Sequence, residues 1–167
     1  GPWRGPLASV SALAISASGS RLAIGFCSET LASLYLVDIA ADRILGTRDG
    51  LCAQDMAFGP GDQALGALET QALHVIDGQT GASRGEQVLE QSASLLAWSV
   101  EGLAWWGGPE ETRGLSLWAE EELAPLASGS VGEHVPRVLQ ETSDGSRICL
   151  LSDGGYTCWD PSSGQRL

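Results

Sequence analysis

The sequence contains neither lysine nor asparagine, and its cationic side chains are nine arginines set against 21 aspartates and glutamates. The resulting formal net charge of −12 at pH 7 repels the phosphate backbone. We therefore expect no nucleic acid among the main partners. Without asparagine, the chain also offers no acceptor for an Asn-linked glycan.

Long hydrophobic runs are absent too. No stretch approaches the roughly 18 uninterrupted apolar residues of a membrane span, and no charged-then-apolar start marks a secretory signal. We expect no membrane association and a cytoplasmic location, with the nucleus as the alternative. The 167 residues, 43% of them hydrophobic and 18% charged, are typical of a globular chain that can bury a sizeable core.

Cysteine and histidine are scarce and scattered. The four cysteines include no CxxC pair, and the two histidines lie far from any matching ligand spacing, which argues against zinc. Cys149 and Cys158 fall on neighbouring predicted strands and could in principle meet. We expect instead that Cys27, Cys52, Cys149 and Cys158 are free thiols packed as small apolar residues in a reducing compartment.

Motifs for catalysis are missing as well. His74 lies on a predicted strand with no serine or cysteine nearby in a nucleophile context, and no GxSxG sequence occurs. The glycines lie at predicted turns, and no phosphate-binding GxxxxGK[ST] sequence is present. We expect a protein that is not an enzyme and has no cofactor.

The sequence does contain a repeat. Glycines in polar turns recur at Gly19, Gly61, Gly102 and Gly145, at a spacing close to the roughly 40–45 residues of a unit of four short strands. A second marker, the end of the third predicted strand of each unit, keeps the same period. It reads Val37-Asp38, Ile76-Asp77, Trp118-Ala119 and Trp159-Asp160. Two independent markers therefore agree on four units.

The last unit shows the pattern most clearly. Its polar turn at 143–146 is followed by an apolar run, a tight turn at 152–155 and a second short run that ends in Trp159-Asp160, which predicts a β-hairpin. With Gly132-Glu133-His134 upstream, this order resembles one blade of a WD-repeat β-propeller. The resemblance implies an all-β protein of about four four-stranded antiparallel blades, forming a partial or a small propeller.

The repeat defines the expected domain organisation. Residues 1–167 form one propeller domain with blades at about 9–48, 51–88, 92–129 and 134–167. The first strand of the second blade is predicted from Cys52 to Phe58. The fourth strand of the last blade has barely begun by Leu167. This strand could be completed by residues 1–8, in which Trp3 to Ala8 form a possible closing edge strand. It could also be completed by chain beyond Leu167 or by a partner.

The resemblance also implies a structural hydrogen-bond set. In the WD-repeat family, a histidine, a serine or threonine, an aspartate and the tryptophan form a buried network, which here corresponds to His134, Ser152, Asp153 and Trp159. The turn after Asp153 is about one residue shorter than in the family. The alternative is an exposed His134 and a Trp159 that simply packs in the core.

Trp105-Trp106 precedes a polar loop from Gly107 to Arg113. Adjacent residues on a strand point to opposite faces, so both tryptophans could be core residues packed on the two sides of one sheet. Alternatively, they form a protein-binding surface with Glu110, Glu111 and Arg113 of the loop, because aromatic side chains are favoured interface anchors.

The resemblance implies a non-catalytic scaffold that binds other proteins as a segment of a larger multidomain or multi-subunit assembly. Four blades are fewer than is typical of the family, so the partners could include further propeller blades of the same parent chain. The first rival is a small closed propeller with a ligand or ion at its axis, which would need polar side chains where the first strands offer mainly Ala, Ser, Leu and Met. The second rival, a propeller enzyme, would need clustered His and acidic residues there.

Overall fold

A computed structural model of the chain describes residues 9–99, 101–108, 114–119, 122–127, 136–142 and 146–167. In these ranges the regular structure is fifteen β-strands and one short 3-10 turn, Pro60–Asp62, and no helix there is long and apolar enough to cross a membrane. The strands are β1 Val10–Ile15, β2 Arg21–Cys27, β3 Ala32–Asp38, β4 Arg43–Asp49, β5 Asp55–Phe58, β6 Ala64–Leu68, β7 Ala72–Asp77, β8 Ser83–Val88, β9 Ala93–Ser99, β10 Gly102–Gly107, β11 Gly114–Ala119, β12 Glu122–Ala127, β13 Pro136–Glu141, β14 Ile148–Ser152 and β15 Gly155–Trp159.

The strands form four antiparallel sheets in chain order, β1–β4, β5–β8, β9–β12 and β13–β15, and each strand pairs with its neighbour in sequence. This confirms the predicted all-β class with blade-like sheets. The chain divides into two compact units, Gly1–Val88 and Leu89–Leu167, and each unit holds two of the sheets.

The third strands end where the repeat predicts, at Asp38, Asp77, Ala119 and Trp159. One strand start was wrong: the second sheet begins at Asp55, whereas we expected Cys52. The backbone N–H of Cys52 donates to the carboxylate of Glu69 at 2.6 Å, so it does not take part in strand pairing.

The first unit packs the inner faces of its two sheets against each other. Its core consists of Ala12, Ala23, Leu34, Leu51, Ala53, Met56, Leu65, Ala67 and Ile76. The alanines let the backbones approach closely. At Gly46 on β4, an added Cβ would lie 2.5 Å from the carbonyl oxygen of Thr80 in the β7–β8 turn, so only glycine fits there.

The second unit is built in the same way around larger side chains. Its core joins Ala97, Ala104, Trp106 and Leu115 of the third sheet to Leu139, Ile148, Leu150 and Trp159 of the fourth. The ring centroids of Trp106 and Trp159 are 6.1 Å apart, with the ring planes inclined at 38°. Such offset aromatic pairs add to the free energy gained from burial.

In three of the four sheets, an aspartate side chain closes the turn that follows the third strand. Oδ1 of Asp77 accepts hydrogen bonds from the backbone N–H groups of Gln79 and Thr80 at 3.0 and 2.9 Å, and Gly81, at a φ of +74°, ends the turn. Oδ1 of Asp38 accepts one from Ala41 at 3.0 Å. The repeated aspartate of the sequence is therefore a turn-forming residue.

The fourth sheet has three strands among the described residues. Three strands are followed by a single bridge between Trp159 and Arg166, and the N–H of Leu167 donates to the carbonyl of Cys158 at 2.9 Å. These contacts place Arg166 and Leu167 beside β15. The expected closing strand, Trp3 to Ala8, lies outside the described residues.

The cysteine prediction was wrong. All four residues are paired, in Cys27–Cys52 and Cys149–Cys158, with Cα–Cα distances of 5.0 and 4.1 Å. Cys149 and Cys158 are register partners on β14 and β15. The other disulfide joins the end of the first sheet's β2 to the segment before β5, a proximity that only the packing of two sheets creates.

We expect the Cys27→Ser/Cys52→Ser variant to lose roughly 3 kcal/mol of unfolding free energy, because the disulfide closes a loop with a sequence separation of 25 residues. Cys149→Ser/Cys158→Ser, with a separation of nine, is the matched control and should lose less. Urea unfolding with and without reductant measures both. Alkylation of thiols in the unreduced native protein would contradict the pairing.

Acid should weaken the fold through Asp77. The guanidinium of Arg84, followed by the N–H groups of Gln79 and Thr80, holds the pKa of this carboxyl well below its usual range. Because the folded pKa is depressed, the stabilisation is present above about pH 4 and is lost as the pH falls further. As the pH is lowered from about 5 to about 2, the urea concentration at the midpoint of unfolding should decline more steeply for the natural chain than for Asp77→Ala. Parallel curves would rule out this role of Asp77.

Candidate functional site

His74 is the titratable residue that the structure surrounds most closely. It is buried on β7, where its Nε2 lies 3.1 Å from Oε2 of Glu69 and its Nδ1 lies 3.7 Å from Oε2 of Glu86. The two carboxylates approach different ring nitrogens, so the three side chains do not converge on one point. This arrangement is unsuited to a shared metal ion, which needs its ligands to meet.

Glu69 uses its second carboxylate oxygen to accept the Cys52 N–H, which ties the segment before β5 to the end of β6. A shallow depression of about 320 Å³ lies here, lined by Cys52, Glu69, Thr70, Gln71 and Ala72. The sulfur of Cys52 is held in its disulfide and cannot act as a nucleophile. In the part of the chain that the structure describes, no three His, Cys, Asp or Glu side chains are grouped as metal ligands.

The predicted hydrogen-bond set is described in part. Ser152 ends β14, and its Oγ donates to the carbonyl of Gly155 at 3.1 Å, which closes the tight turn that contains Asp153. Trp159 is buried in the core of the second unit. His134 lies outside the described residues, so the four-residue network stays a prediction.

Asp160, which follows Trp159, caps the next turn. Its Oδ1 accepts hydrogen bonds from the hydroxyl of Ser162 at 2.6 Å and from the N–H groups of Ser162 and Ser163 at 2.8 and 3.1 Å. The Ser162 hydroxyl, followed by these N–H groups, lowers the pKa of the Asp160 carboxyl. The Trp-Asp pair thus combines a core residue with a turn residue.

Trp105 and Trp106 are both buried, on opposite faces of β10. Trp106 packs in the second unit's core, while Trp105 shares the other face with Leu96 and Ser116, its register partners. The pair therefore offers no exposed aromatic surface, and the interpretation of both as core residues accounts for the geometry. Glu110, Glu111 and Arg113 lie outside the described residues.

An apolar surface that we did not predict lies on the first sheet. The face of this sheet that points away from the first unit's core carries Val10, Leu13, Ile15 and Ile44, which are 55%, 56%, 61% and 39% exposed. Register pairing places Leu13 beside Ile24 and Ile15 beside Leu22 on this face. We call these four exposed residues the first outer face.

The fourth sheet has a comparable surface. Val138, Leu151 and Tyr156 are consecutive register partners across β13, β14 and β15, and they are 44%, 49% and 79% exposed. The Cys149–Cys158 disulfide lies in the adjacent row of the same face. We call the three exposed side chains the last outer face.

One sequence signal could have revealed these faces. Strand β1 places apolar residues on both sides, with Ala12 in the core and Leu13 and Ile15 outside, and such strands are typical of sheets that are covered on both faces. End repeats that face water normally carry polar outer surfaces. The first and fourth sheets carry apolar side chains on these surfaces instead.

Comparison with known proteins gives the fold. No family model and no curated protein matches the sequence. The chain is similar to the structure of U3-55K, with 12% identity, a TM-score of 0.73 and coverage of 98% of this chain and 52% of that chain. It is similar to Kuenenia stuttgartiensis hydrazine synthase at 17% identity and a TM-score of 0.76, with coverage of 99% of this chain and 49% of that chain. It is also similar to a chain of the mitotic checkpoint complex, with 16% identity, a TM-score of 0.69 and coverage of 91% of this chain and 48% of that chain.

These identities support similarity of fold alone. The U3-55K and mitotic checkpoint matches are WD40-propeller proteins, in agreement with the resemblance seen in the repeats. The chain spans about half the length of the solved structures it matches. The described sheets therefore form a propeller-like all-β fold that resembles part of a WD40 propeller.

Proposed function

We propose that the chain is a non-catalytic protein-interaction scaffold that works as a segment of a larger propeller assembly. The observation that carries this proposal is the pair of apolar outer faces, one on the first sheet and one on the last. The surfaces available for binding are sheet faces, and the partner is expected to cover them.

Energetics support this assignment. Burying one large aliphatic or aromatic side chain gains about 1.5–3 kcal/mol, and monomeric soluble proteins seldom expose contiguous apolar patches of large area. Leu13 and Ile15 point to the same side of β1, and Tyr156 is the most exposed large apolar side chain described. Tyrosine is also a frequent anchor at protein interfaces, which favours a protein partner.

The groups that could suggest catalysis have structural roles. Each ring nitrogen of His74 faces its own carboxylate, and Cys52 is paired with Cys27. One matched structure is named as an enzyme, hydrazine synthase, but an identity of 17% supports only the shared fold. These contacts favour a scaffold over an enzyme.

The cysteine pairing bears on where the scaffold works. Disulfides persist in oxidising compartments and are rare in the cytosol. Since all four cysteines are paired, we propose an oxidising compartment in place of the cytoplasm or nucleus expected from the sequence.

Capture experiments test the scaffold. The tagged chain is compared with a first-face variant, Leu13→Arg/Ile15→Arg, and a last-face variant, Leu151→Arg/Tyr156→Arg. The matched control, Gln79→Arg/Gln91→Arg, makes the same charge change at exposed polar positions. We expect bound proteins, including any untagged copy of the chain, to fall at least about tenfold with either face variant, because burying an arginine opposes binding at an apolar contact. Quantitative mass spectrometry measures the loss.

Circular dichroism should show that all variants remain folded, because the substituted apolar side chains are about half exposed or more and both glutamines are exposed. Equal capture by the natural chain and both face variants would contradict the assignment of these surfaces. A hydrolytic or redox activity that copurifies with the chain and is lost in His74→Gln would favour the enzyme alternative.

A further inference from the structure

We propose that the Cys27–Cys52 disulfide is a reversible thiol–disulfide exchange site, at which a small cationic thiol attacks the Cys52 sulfur. The Cys149–Cys158 disulfide is, in this assignment, a structural link that exchanges much more slowly. The exchange site lies within the first unit and uses none of the residues of the two outer faces. The inference therefore goes beyond the scaffold and is tested independently of it.

An open depression gives access to the Cys52 sulfur. Cys52 lines this depression of about 320 Å³ together with Glu69, Thr70, Gln71 and Ala72. The volume lies at the lower end of the range of small-molecule sites, roughly 300–1,000 Å³. A paired sulfur is an electrophile, and its rate of exchange depends on whether a thiol can reach it. A small thiol that enters the depression is placed against Cys52.

The second disulfide is shielded by its own sheet. Cys149 and Cys158 are register partners, so their S–S bond runs across from β14 to β15. A thiolate attacks a disulfide sulfur in line with the bond that breaks, which for Cys149 means an approach from the side of β13. Gln140, the register partner of Cys149 on β13, lies on that side, and Cys158 is only 9% exposed. This pair therefore lacks the open approach found at Cys52.

Backbone hydrogen bonds keep the segment around Cys52 in place when the disulfide is reduced. The N–H of Gly50 donates to the carbonyl of Ala32 at 2.8 Å, and the N–H of Gln54 donates to the carbonyl of Leu68 at 2.7 Å. These bonds fix the segment on both sides of Cys52, to the first sheet and to the second. The link between the two sheets thus survives without its covalent bond.

Packing adds to these hydrogen bonds. Leu51 and Ala53, the two neighbours of Cys52 in sequence, are buried in the first unit's core. The N–H of Cys52 itself donates to the carboxylate of Glu69 at 2.6 Å. After reduction, the thiols of Cys27 and Cys52 therefore stay near each other at a high effective concentration, which favours closure of the same disulfide.

The lining of the depression favours a cationic thiol. Glu69 brings a carboxylate to it, with 27% of the side chain exposed, whereas Thr70 and Gln71 are uncharged. A carboxylate attracts a cation and repels an anion, and the net charge of −12 acts in the same direction over a longer range. The chemical class that fits is a small aminothiol.

The exchange is balanced in two steps. The thiolate of the aminothiol attacks the Cys52 sulfur and forms a new S–S bond with it, while the Cys27–Cys52 bond breaks and the Cys27 sulfur leaves as a thiolate that takes a proton from water. A second aminothiol then attacks the sulfur of the bound one. This step releases the aminothiol disulfide and leaves Cys52 as a thiol. Two thiols are oxidised and one protein disulfide is reduced.

Timed labelling of the natural, oxidised chain tests which disulfide exchanges. The chain is exposed to cysteamine at about pH 8, where part of a small thiol is ionised, then quenched with N-ethylmaleimide, digested and analysed by mass spectrometry. We expect Cys27 and Cys52 to react at least about tenfold faster than Cys149 and Cys158. The first mixed disulfide should carry cysteamine on Cys52 and maleimide on Cys27. Equal rates for the two disulfides, or cysteamine mainly on Cys27, would overturn the proposal.

Comparing cysteamine with the anionic thiol 2-mercaptoethanesulfonate tests the part played by Glu69. Each rate at low salt is divided by the rate of the same thiol with a small neutral disulfide, which removes their difference in intrinsic reactivity. We expect cysteamine to be favoured at Cys52 on the order of tenfold, and Glu69→Gln to lose most of this preference. The amide oxygen of glutamine can still accept the Cys52 N–H.

Glu101→Gln is the matched control for this comparison. It removes one negative charge at an exposed position in the turn between β9 and β10, within the second unit, and should keep the full preference for cysteamine. If Glu69→Gln and Glu101→Gln behaved alike, the depression would not select the thiol and the cationic class would be wrong.

Reversibility distinguishes an exchange site from a disulfide that only stabilises the fold. After reduction at Cys27 and Cys52, the chain should keep its circular dichroism spectrum, and cystamine should restore the same pair without denaturant. Loss of the spectrum, or new pairs formed with Cys149 or Cys158, would contradict the assignment. Cys149→Ser/Cys158→Ser should exchange at the natural rate. The labelling of the natural chain needs no variant, so it decides the question even if this variant does not fold.

The capture experiment and the labelling experiment have separate outcomes. Exchange at Cys52 in a chain that captures no protein through its outer faces would overturn the scaffold and leave this inference intact. Capture through the outer faces by a chain whose Cys27–Cys52 pair resists cysteamine as strongly as Cys149–Cys158 would overturn this inference alone.

Discussion

Two-sided burial is the constraint on which the rest of this structure depends. All five residues of β6 are buried, and the adjacent Trp105 and Trp106 are both buried on opposite sides of β10. A sheet of this composition is stable only when each face is covered, because every exposed large side chain forfeits burial free energy. Within each unit the two sheets therefore pack face to face, and the outward sides of the first and fourth sheets expose apolar residues.

Polar groups are placed so that they do not interrupt this stacking. Asp77 and Asp160 direct their carboxylates into the turns after the third strands, where backbone N–H groups need acceptors. His74 forms a hydrogen bond with Glu69 and lies near Glu86, so this buried ring has polar neighbours. The Cys27–Cys52 disulfide adds a covalent link between the two sheets of that unit. Polar side chains thus lie mainly at turns and strand ends, and the sheet faces are packed with apolar side chains.

This division of roles explains why the functional proposal concerns surfaces. The one depression described in detail is shallow, and its charged residue is committed to local contacts. The outer faces, in contrast, leave large apolar side chains exposed. Fold similarity alone names no partner, so the chemistry of the faces must carry that argument.

The sequence by itself determined most of the strands and the four repeats, because these depend on local turn chemistry and on a repeat period that can be read along the chain. It also limited Trp105 and Trp106 to two interpretations, since adjacent strand residues point to opposite faces. Only the tertiary structure decided that both are buried, that Cys27 meets Cys52, and that Leu13 and Ile15 point outward. Those outcomes depend on which sheet lies against which, and residues distant in sequence leave no local signal of their contact.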